Sequence, residues 1–310
     1  MARRRFRRRS WLGGIGLGVG VTAGLIYRQA PAFWHQYVRE LGEPIDVPKH
    51  RPDPGKWPDR GLHAAWLGHS TVLLKVDGFT ILTDPVFSDR VGLGLGPLTL
   101  GIKRLFLPAI ALDRLPAIDL VLLSHAHMDH FDIPTLRALE SRKIEVVTAT
   151  STSDLLRTNR YKRVQEVGWN HEVRVGPAVI RGREVRHWGA RMRTDNWRGY
   201  NGYTVKIGNW RVLFAGDTAL TDQFRDTGEH HLALMPIGAY NPWIANHCSP
   251  EQAWRMVNEA RSAHVLPIHH LTFTLSREPL HEPIERLHRA AGNDDRRIVL
   301  NGIGQEFSLS

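Results

Sequence analysis

The 310-residue chain has a single cysteine, Cys248. That excludes an internal disulfide and any zinc site built from several thiolates, so a bound metal would have to be held by histidines and carboxylates. A collagen-like repeat and the composition of a disordered chain are also missing, since 42 % of residues are hydrophobic and 23 % charged. The body carries no basic run interleaved with aromatics, which argues against a nucleic-acid partner. The formal charge of +10 is concentrated at one end: Arg3, Arg4, Arg5, Arg7, Arg8 and Arg9 supply six charges, leaving about +4 for the rest.

Beyond those arginines the chain is uncharged and glycine-rich from Trp11 to Tyr27, a stretch closed by Arg28. A bilayer core needs about 17–25 apolar residues. The segment is therefore read as an uncleaved membrane anchor. A cleaved signal peptide, with Val21-Thr22-Ala23 as a weak cleavage site, and a helix of a soluble domain are the alternatives. With the arginines held inside, the anchor places the catalytic body beyond a bacterial inner membrane; the cytoplasmic face is the other option. Residues 1–30 thus form a basic anchor or signal segment. Residues 31–60, with scattered prolines and no periodic apolar face, read as a linker or lead-in. One domain is expected over 61–310.

Short β-rich runs open that domain at Ala64–Leu67, Val72–Val76 and Thr80–Thr83, with a turn at Asp77-Gly78. Asp119–Leu123 is a continuous apolar run, as expected of a buried strand. A helix is expected over Pro134–Glu140. Further strands are expected at Glu145–Thr148, Val173–Val175, Ala178–Arg181, Tyr203–Ile207, Arg211–Ala215, Leu232–Pro236 and Val265–Ile268. Ser249, Pro250 and Glu251 mark the start of a helix running to Ala260. A helix over Pro283–Ala290 and a strand at Val299 close the chain. Gly92–Gly101 is read as a mobile loop near the site.

Directly after the buried strand, Ser124-His125-Ala126-His127-Met128-Asp129-His130 packs four metal-capable side chains into six positions. This spacing lets His125 and His127 face one ion while Asp129 and His130 face another. His187, Asp217 and His269 lie at strand ends and offer further ligands. Imidazole and carboxylate donors without thiolates suit two zinc ions, with iron or manganese as alternatives.

These residues resemble the metallo-β-lactamase superfamily from about Gly61 to Leu309. Within it, the chain is most similar to the N-acyl-phosphatidylethanolamine-hydrolysing phospholipase D branch. The residues that carry this are Trp66-Leu67-Gly68-His69-Ser70-Thr71-Val72, Leu82-Thr83-Asp84-Pro85-Val86-Phe87-Ser88, the His125 motif, His187-Trp188, Phe214-Ala215-Gly216-Asp217-Thr218, Pro236-Ile237-Gly238-Ala239-Tyr240 and Pro267-Ile268-His269. The resemblance implies an α/β fold, the four-layered αββα metallo-β-lactamase sandwich. It implies that His125, His127 and His187 bind one zinc, that Asp129, His130 and His269 bind the other, and that Asp217 bridges them. Asp84 and His69 would support these ligands, and His247 would lie near the reacting group. The chain departs from the branch at His231, at Asn241-Pro242-Trp243 and at His270, positions expected to line the pocket. His270 also leaves open which of two adjacent histidines is the ligand.

The function these features imply is a zinc-dependent phosphodiesterase of phospholipase D type. A hydroxide held between the metals and oriented by Asp217 would attack phosphorus, with His247 or water protonating the leaving alkoxide. An N-acyl-phosphatidylethanolamine-like phospholipid would yield N-acylethanolamine and phosphatidic acid. The alternatives are a lactonase or phosphodiesterase for a small soluble substrate, and a non-catalytic, membrane-tethered metal-binding protein.

Overall fold

Most strands of the chain are apolar on both sides, and each side has its own place to go. In β1 (Leu62–Gly68), Ala64 and Trp66 point into one buried cluster and Ala65 and Leu67 into another. A strand buried on both faces must lie inside a stack of layers. The computed structural model describes residues 31–95, 98–192 and 194–310, in two units, up to Pro44 and Ile45–Ser310. The basic and apolar segment at 1–30 lies outside the described residues. In the first unit, Pro31–Glu40 forms helix α1 where a linker was expected; a proline costs nothing in the first turn, which has no amide bond to lose. Among the described residues no helix is long and apolar enough to cross a membrane.

The second unit holds two large sheets. β2 (Thr71–Val76), β3 (Phe79–Thr83), β6 (Leu120–Leu122), β7 (Glu145–Ala149), β8 (Arg163–Val167) and β15 (Glu306–Leu309) join β1 in the order β15-β1-β2-β3-β6-β7-β8. The other sheet runs β14-β13-β12-β11-β10-β9, built from β9 (Glu172–Val175), β10 (Ala178–Arg183), β11 (Gly202–Ile207), β12 (Trp210–Phe214), β13 (His230–Pro236) and β14 (Ser262–Ile268). Leu74, Ile81 and Leu122 of the first sheet meet Ile180, Tyr203, Phe214 and Leu234 of the second in one cluster. Helices α3 (Pro250–Glu259) and α4 (Glu282–Ala291) cover the second sheet's outer face through Trp254, Val257 and Leu287. The short α2 (Ile133–Ala138) lies on the first sheet's outer face through Leu136, beside Phe131 and Tyr161. This is the αββα sandwich. The start of α3 obeys the sequence signal, since the Ser249 hydroxyl and the Gln252 side chain form a reciprocal capping box.

Two expectations are corrected, and one strand is added that the sequence did not suggest. The final strand is β15 rather than Val299, which makes a single backbone bond to Val265 before the chain crosses to the other sheet. β8, which the apolar pattern does not predict, is an edge strand whose Arg163, Gln165 and Glu166 break the alternation. The glycine-rich segment is a hairpin, not a loop: β4 (Arg90–Leu95) pairs with β5 (Leu98–Lys103), and Gly92 faces Gly101. A Cβ on Gly101 would stand 1.9 Å from the Val91 carbonyl oxygen, so these glycines are there for close strand approach.

Gly101→Ala is therefore expected to lower the unfolding temperature, at a cost of about 1–3 kcal/mol. In a mobile loop the same change would be neutral or stabilising, and thermal denaturation separates the two.

Candidate metal centre

β3 is parallel to β6, and β12, β13 and β14 are parallel to one another. Their carboxyl ends deliver Asp84, the Ser124–His130 loop, Asp217 and His269 to one edge of the sandwich. His187 arrives four residues after β10, and His69 from the β1–β2 turn. Several of these positions hold left-handed backbone: His69 at φ 51°, Asp84 at 29° and His269 at 63°. Strain of this kind is kept where the surrounding structure over-determines it. Gly216, beside Asp217, has no room for a side chain, because a Cβ would meet Asn201 O at 2.6 Å.

The seven expected ligands converge. His127 Nδ1 stands 2.8 Å from His125 Nε2 and 3.2 Å from His187 Nε2. Ligand atoms about 2.0–2.1 Å from one zinc stand roughly 3.3 Å apart, so this trio has the spacing of a shared ion. A second group joins Asp129, His130 and His269: both imidazole Nε2 atoms lie 3.6 Å from Asp129 Oδ2. Asp217 Oδ2 joins the groups, 3.1 Å from His130, 3.0 Å from His269, 3.9 Å from His125 and 3.8 Å from His187. His247 Nδ1 is 3.8 Å from the same oxygen.

The supporting residues are equally specific. Asp84 Oδ2 lies 2.7 Å from His130 Nδ1, while Ser124 donates to Asp84 through its amide (2.7 Å) and hydroxyl (2.5 Å). His69 Nε2 lies 3.0 Å from Asp129 Oδ2, inside the second group. The Asn246 carbonyl holds His187 Nδ1 at 2.9 Å, which leaves Nε2 turned toward the trio. The adjacent histidines separate: His269 enters the cluster, whereas His270 stacks on Trp66 at 4.6 Å. His231 does not line the pocket as expected; it meets Trp210 edge-on and accepts from the Arg211 amide, because it sits at the start of β13, away from the carboxyl ends. His270 borders a smaller neighbouring cavity, and of the Asn241-Pro242-Trp243 stretch only Trp243 lines the main one. Arg191 was not foreseen. Its Nη1 donates to the carbonyls of Ala126 (3.0 Å) and Phe131 (2.7 Å), clamping both ends of the ligand loop. An arginine that reaches back over 60 residues to main-chain oxygens leaves no local pattern in sequence.

The electrostatics suit a cation. Burial raises Asp217 and Asp129, but His130 and His269 hold both well below the usual carboxylate range. Burial likewise opposes charge on His269, yet Asp217 and Asp129 carry it to about 9 and His130 well above its ordinary value. In His125 and His187 burial wins, and His187 falls to about 3. Buried Nε2 atoms of His130 and His269 and Oδ1 of Asp217 have no hydrogen-bond partner. Buried polar atoms without partners are expensive unless something else satisfies them, and these converge on one place. The donor set fits two divalent cations: His125, His127 and His187 around one, Asp129, His130 and His269 around the other, Asp217 between. A cavity of about 430 Å³ opens above, lined by Trp188, Met192, Trp243, His247 and Leu275.

The family model of the beta-lactamase superfamily domain matches residues 80–270, which hold all seven candidate ligands from His125 to His269. The chain belongs to the metallo-β-lactamase superfamily. Among its relatives is an uncharacterised protein of Mycobacterium tuberculosis, 35 % identical over 79 % of this chain and 68 % of its own length. The N-acyl-phosphatidylethanolamine-hydrolyzing phospholipase D 1 of Caenorhabditis elegans is 30 % identical over 74 % of this chain and 69 % of its own length, which supports that branch of the superfamily. The fold matches the crystal structure of an isothiocyanate hydrolase from Delia radicum gut bacteria, with a TM-score of 0.63 and 15 % identity over 80 % of this chain and 99 % of that one. As a superfamily member the chain is a metal-dependent hydrolase.

Cations added to metal-free protein must displace the protons that Asp217 and Asp129 hold on His269 and His130. Calorimetry in buffers of different ionisation enthalpy should show proton release at pH 7 that shrinks as the pH rises past about 9, where His269 is already neutral. In the same titration Arg191→Leu should weaken metal binding by about 10–100-fold; unchanged affinity would remove the clamp from the account.

Proposed function

We propose that the chain is a zinc-dependent phosphodiesterase of phospholipase D type, acting on N-acyl-phosphatidylethanolamine-like lipids. The observation that carries this is one buried carboxylate, Asp217, whose Oδ2 stands 3.0–3.9 Å from His130 and His269 on one side and His125 and His187 on the other, at the floor of a cavity whose wall includes Trp188, Met192, Trp243 and Leu275. The donor groups suit a phosphodiester and the apolar wall suits acyl chains. The nematode relative's similarity supports the same reading.

Bound cations would supply acidification of water toward neutral pH and neutralisation of the charge that builds on the phosphoryl oxygens. The protein's own part is positioning. Asp217, ionised at any working pH, accepts a hydrogen bond from the attacking water and fixes its direction. The new bond joins water oxygen to phosphorus. The bond from phosphorus to the ethanolamide oxygen breaks, and the leaving alkoxide takes up a proton to give N-acylethanolamine beside phosphatidic acid. Burial, the chief cause, lowers His247 to about 4, so its ring is neutral at pH 7. It can hydrogen-bond the leaving oxygen as it departs, while water delivers the proton. The same reading takes the basic, apolar amino terminus as the anchor that keeps the domain at a membrane, beyond the cytoplasm. A carboxy-terminal reporter active only in the cytoplasm would reverse that orientation.

The test is metal analysis with a hydrolysis screen, parent beside Asp217→Ala. About two zinc ions per chain and phosphatidic acid from N-acylated phosphatidylethanolamine are expected. Asp217→Ala should lose at least about 10³-fold in turnover, the scale of a group that stabilises the transition state directly. Iron or manganese at the site would change the cofactor alone. Metal-replete protein that opens lactones or cleaves small soluble phosphodiesters but leaves lipids intact would assign it to small substrates. Metal binding without any turnover would make it a tethered metal-binding protein.

A further inference from the structure

The β4–β5 hairpin stands outside both large sheets. From Val91 to Ile102 it holds no charged residue. Pairing sets Val91 opposite Ile102 and Leu93 opposite Leu100, with Gly92 opposite Gly101 between them and Gly94 opposite Thr99 one pair further out. Side chains alternate across a strand, so one face is an apolar ladder and the other almost bare backbone. The base of the ladder is covered, since Val91 and Ile102 pack with Val86, Phe273 and Leu275. One pair further out, Leu100 is half-buried and Leu93 is 46 % exposed. Leu275 also lines the cavity above the metal centre, so the ladder continues the cavity wall. Across the mouth, Trp188, Met192 and Trp243 line the cavity yet are 40–50 % exposed, and Ile244 beside them is 47 % exposed.

We propose that this hairpin and the Trp188, Met192, Trp243 and Ile244 rim are a docking surface for a phospholipid bilayer, with the hairpin's ladder entering the acyl region and the cavity mouth opening onto it. The inference rests on the lipid reading above and names the elements that bring the substrate to the site. Exposed apolar surface of this extent at a cavity mouth marks an interaction site. The absence of charge along the two strands from Val91 to Leu95 and Leu98 to Ile102 removes the main cost of leaving water. Cross-strand bonds satisfy the hairpin's inward amides, and its bare glycine face lets the ladder lie flat against lipid. Tryptophans at the rim suit the boundary, where an apolar ring and a polar N–H are both accommodated. A protein partner or a second copy of the chain would need polar or shaped features along the ladder to fix its register, and Leu93 and Leu100 offer none.

The experiment attaches an environment-sensitive fluorophore to the full chain at Leu93→Cys, Ile244→Cys or Lys162→Cys. Lys162 precedes β8, on the edge opposite the site, and buried Cys248 stays unlabelled. Vesicles of phosphatidylcholine and phosphatidylglycerol with brominated acyl chains should quench probes at 93 and 244 but not at 162. Equal quenching at all three positions, or none at 93 and 244, overturns the proposal. So does shielding that grows with protein concentration in the absence of vesicles, which would signal self-association. Leu93→Asp should hydrolyse the soluble diester bis(4-nitrophenyl) phosphate at the parental rate yet lose about tenfold on vesicle-borne lipid, the scale of withdrawing one leucine from apolar contact. Quenching at 93 and 244 without lipid turnover upholds the docking surface and sinks the lipid reading. Turnover of detergent-dispersed lipid without quenching does the reverse.

Discussion

The carboxylate of Asp217 is the constraint around which the edge of this sandwich is organised. It is almost fully buried at the floor of the cavity, where an isolated charge is costly, and it stays ionised because His130 and His269 approach one of its oxygens to about 3 Å. His125, His187 and His247 approach the same oxygen less closely. Five imidazoles around one carboxylate make sense as a cation site, since the far nitrogens of His125, His130 and His187 are held by Ser124, Asp84 and the Asn246 carbonyl. Removing that carboxylate would leave two donor groups with no common member.

Holding this arrangement requires rigidity from several directions. Asp84 and Ser124 fix His130 and the start of the ligand loop, Arg191 closes the loop from outside, and the Asn246 carbonyl turns His187. The two packed sheets supply the platform, with parallel strands ending at the same edge so that loops distant in sequence meet. Positive φ values at His69, Asp84 and His269 are the local cost of aiming short loops at one point. The stability that offsets it lies in the apolar layer between the sheets and in the two outer clusters.

The cavity above the donor groups has a different character from its floor. Below are imidazole and carboxylate; above are tryptophan, methionine and leucine. Arg191 is the charged exception on that wall, and Leu275 links the wall to the base of the hairpin. The glycines of the hairpin serve the same surface, because they keep one side of the ladder free of side chains.

Much of this was legible in sequence because its causes are local. Apolar runs gave most strands to within a residue or two, Ser249-Pro250-Glu251 marked a capped helix, and the density of His125–His130 named the metal loop. The features that stayed hidden were set by long-range contact. β8 and β15 are edge strands whose polar residues blur the alternation, and Gly92–Gly101 looks mobile until Gly92 and Gly101 are seen to face each other. Arg191 acts on main-chain oxygens, which no motif records. His269 and His270 are equivalent as letters, and only the end of β14 turns one ring to Asp217 and the other onto Trp66. The sequence by itself determined the ligand chemistry and the layered fold, since both arise from residue type and short-range periodicity. The tertiary structure decided which donors share an oxygen and which apolar residues are left uncovered, because those depend on where distant strands end.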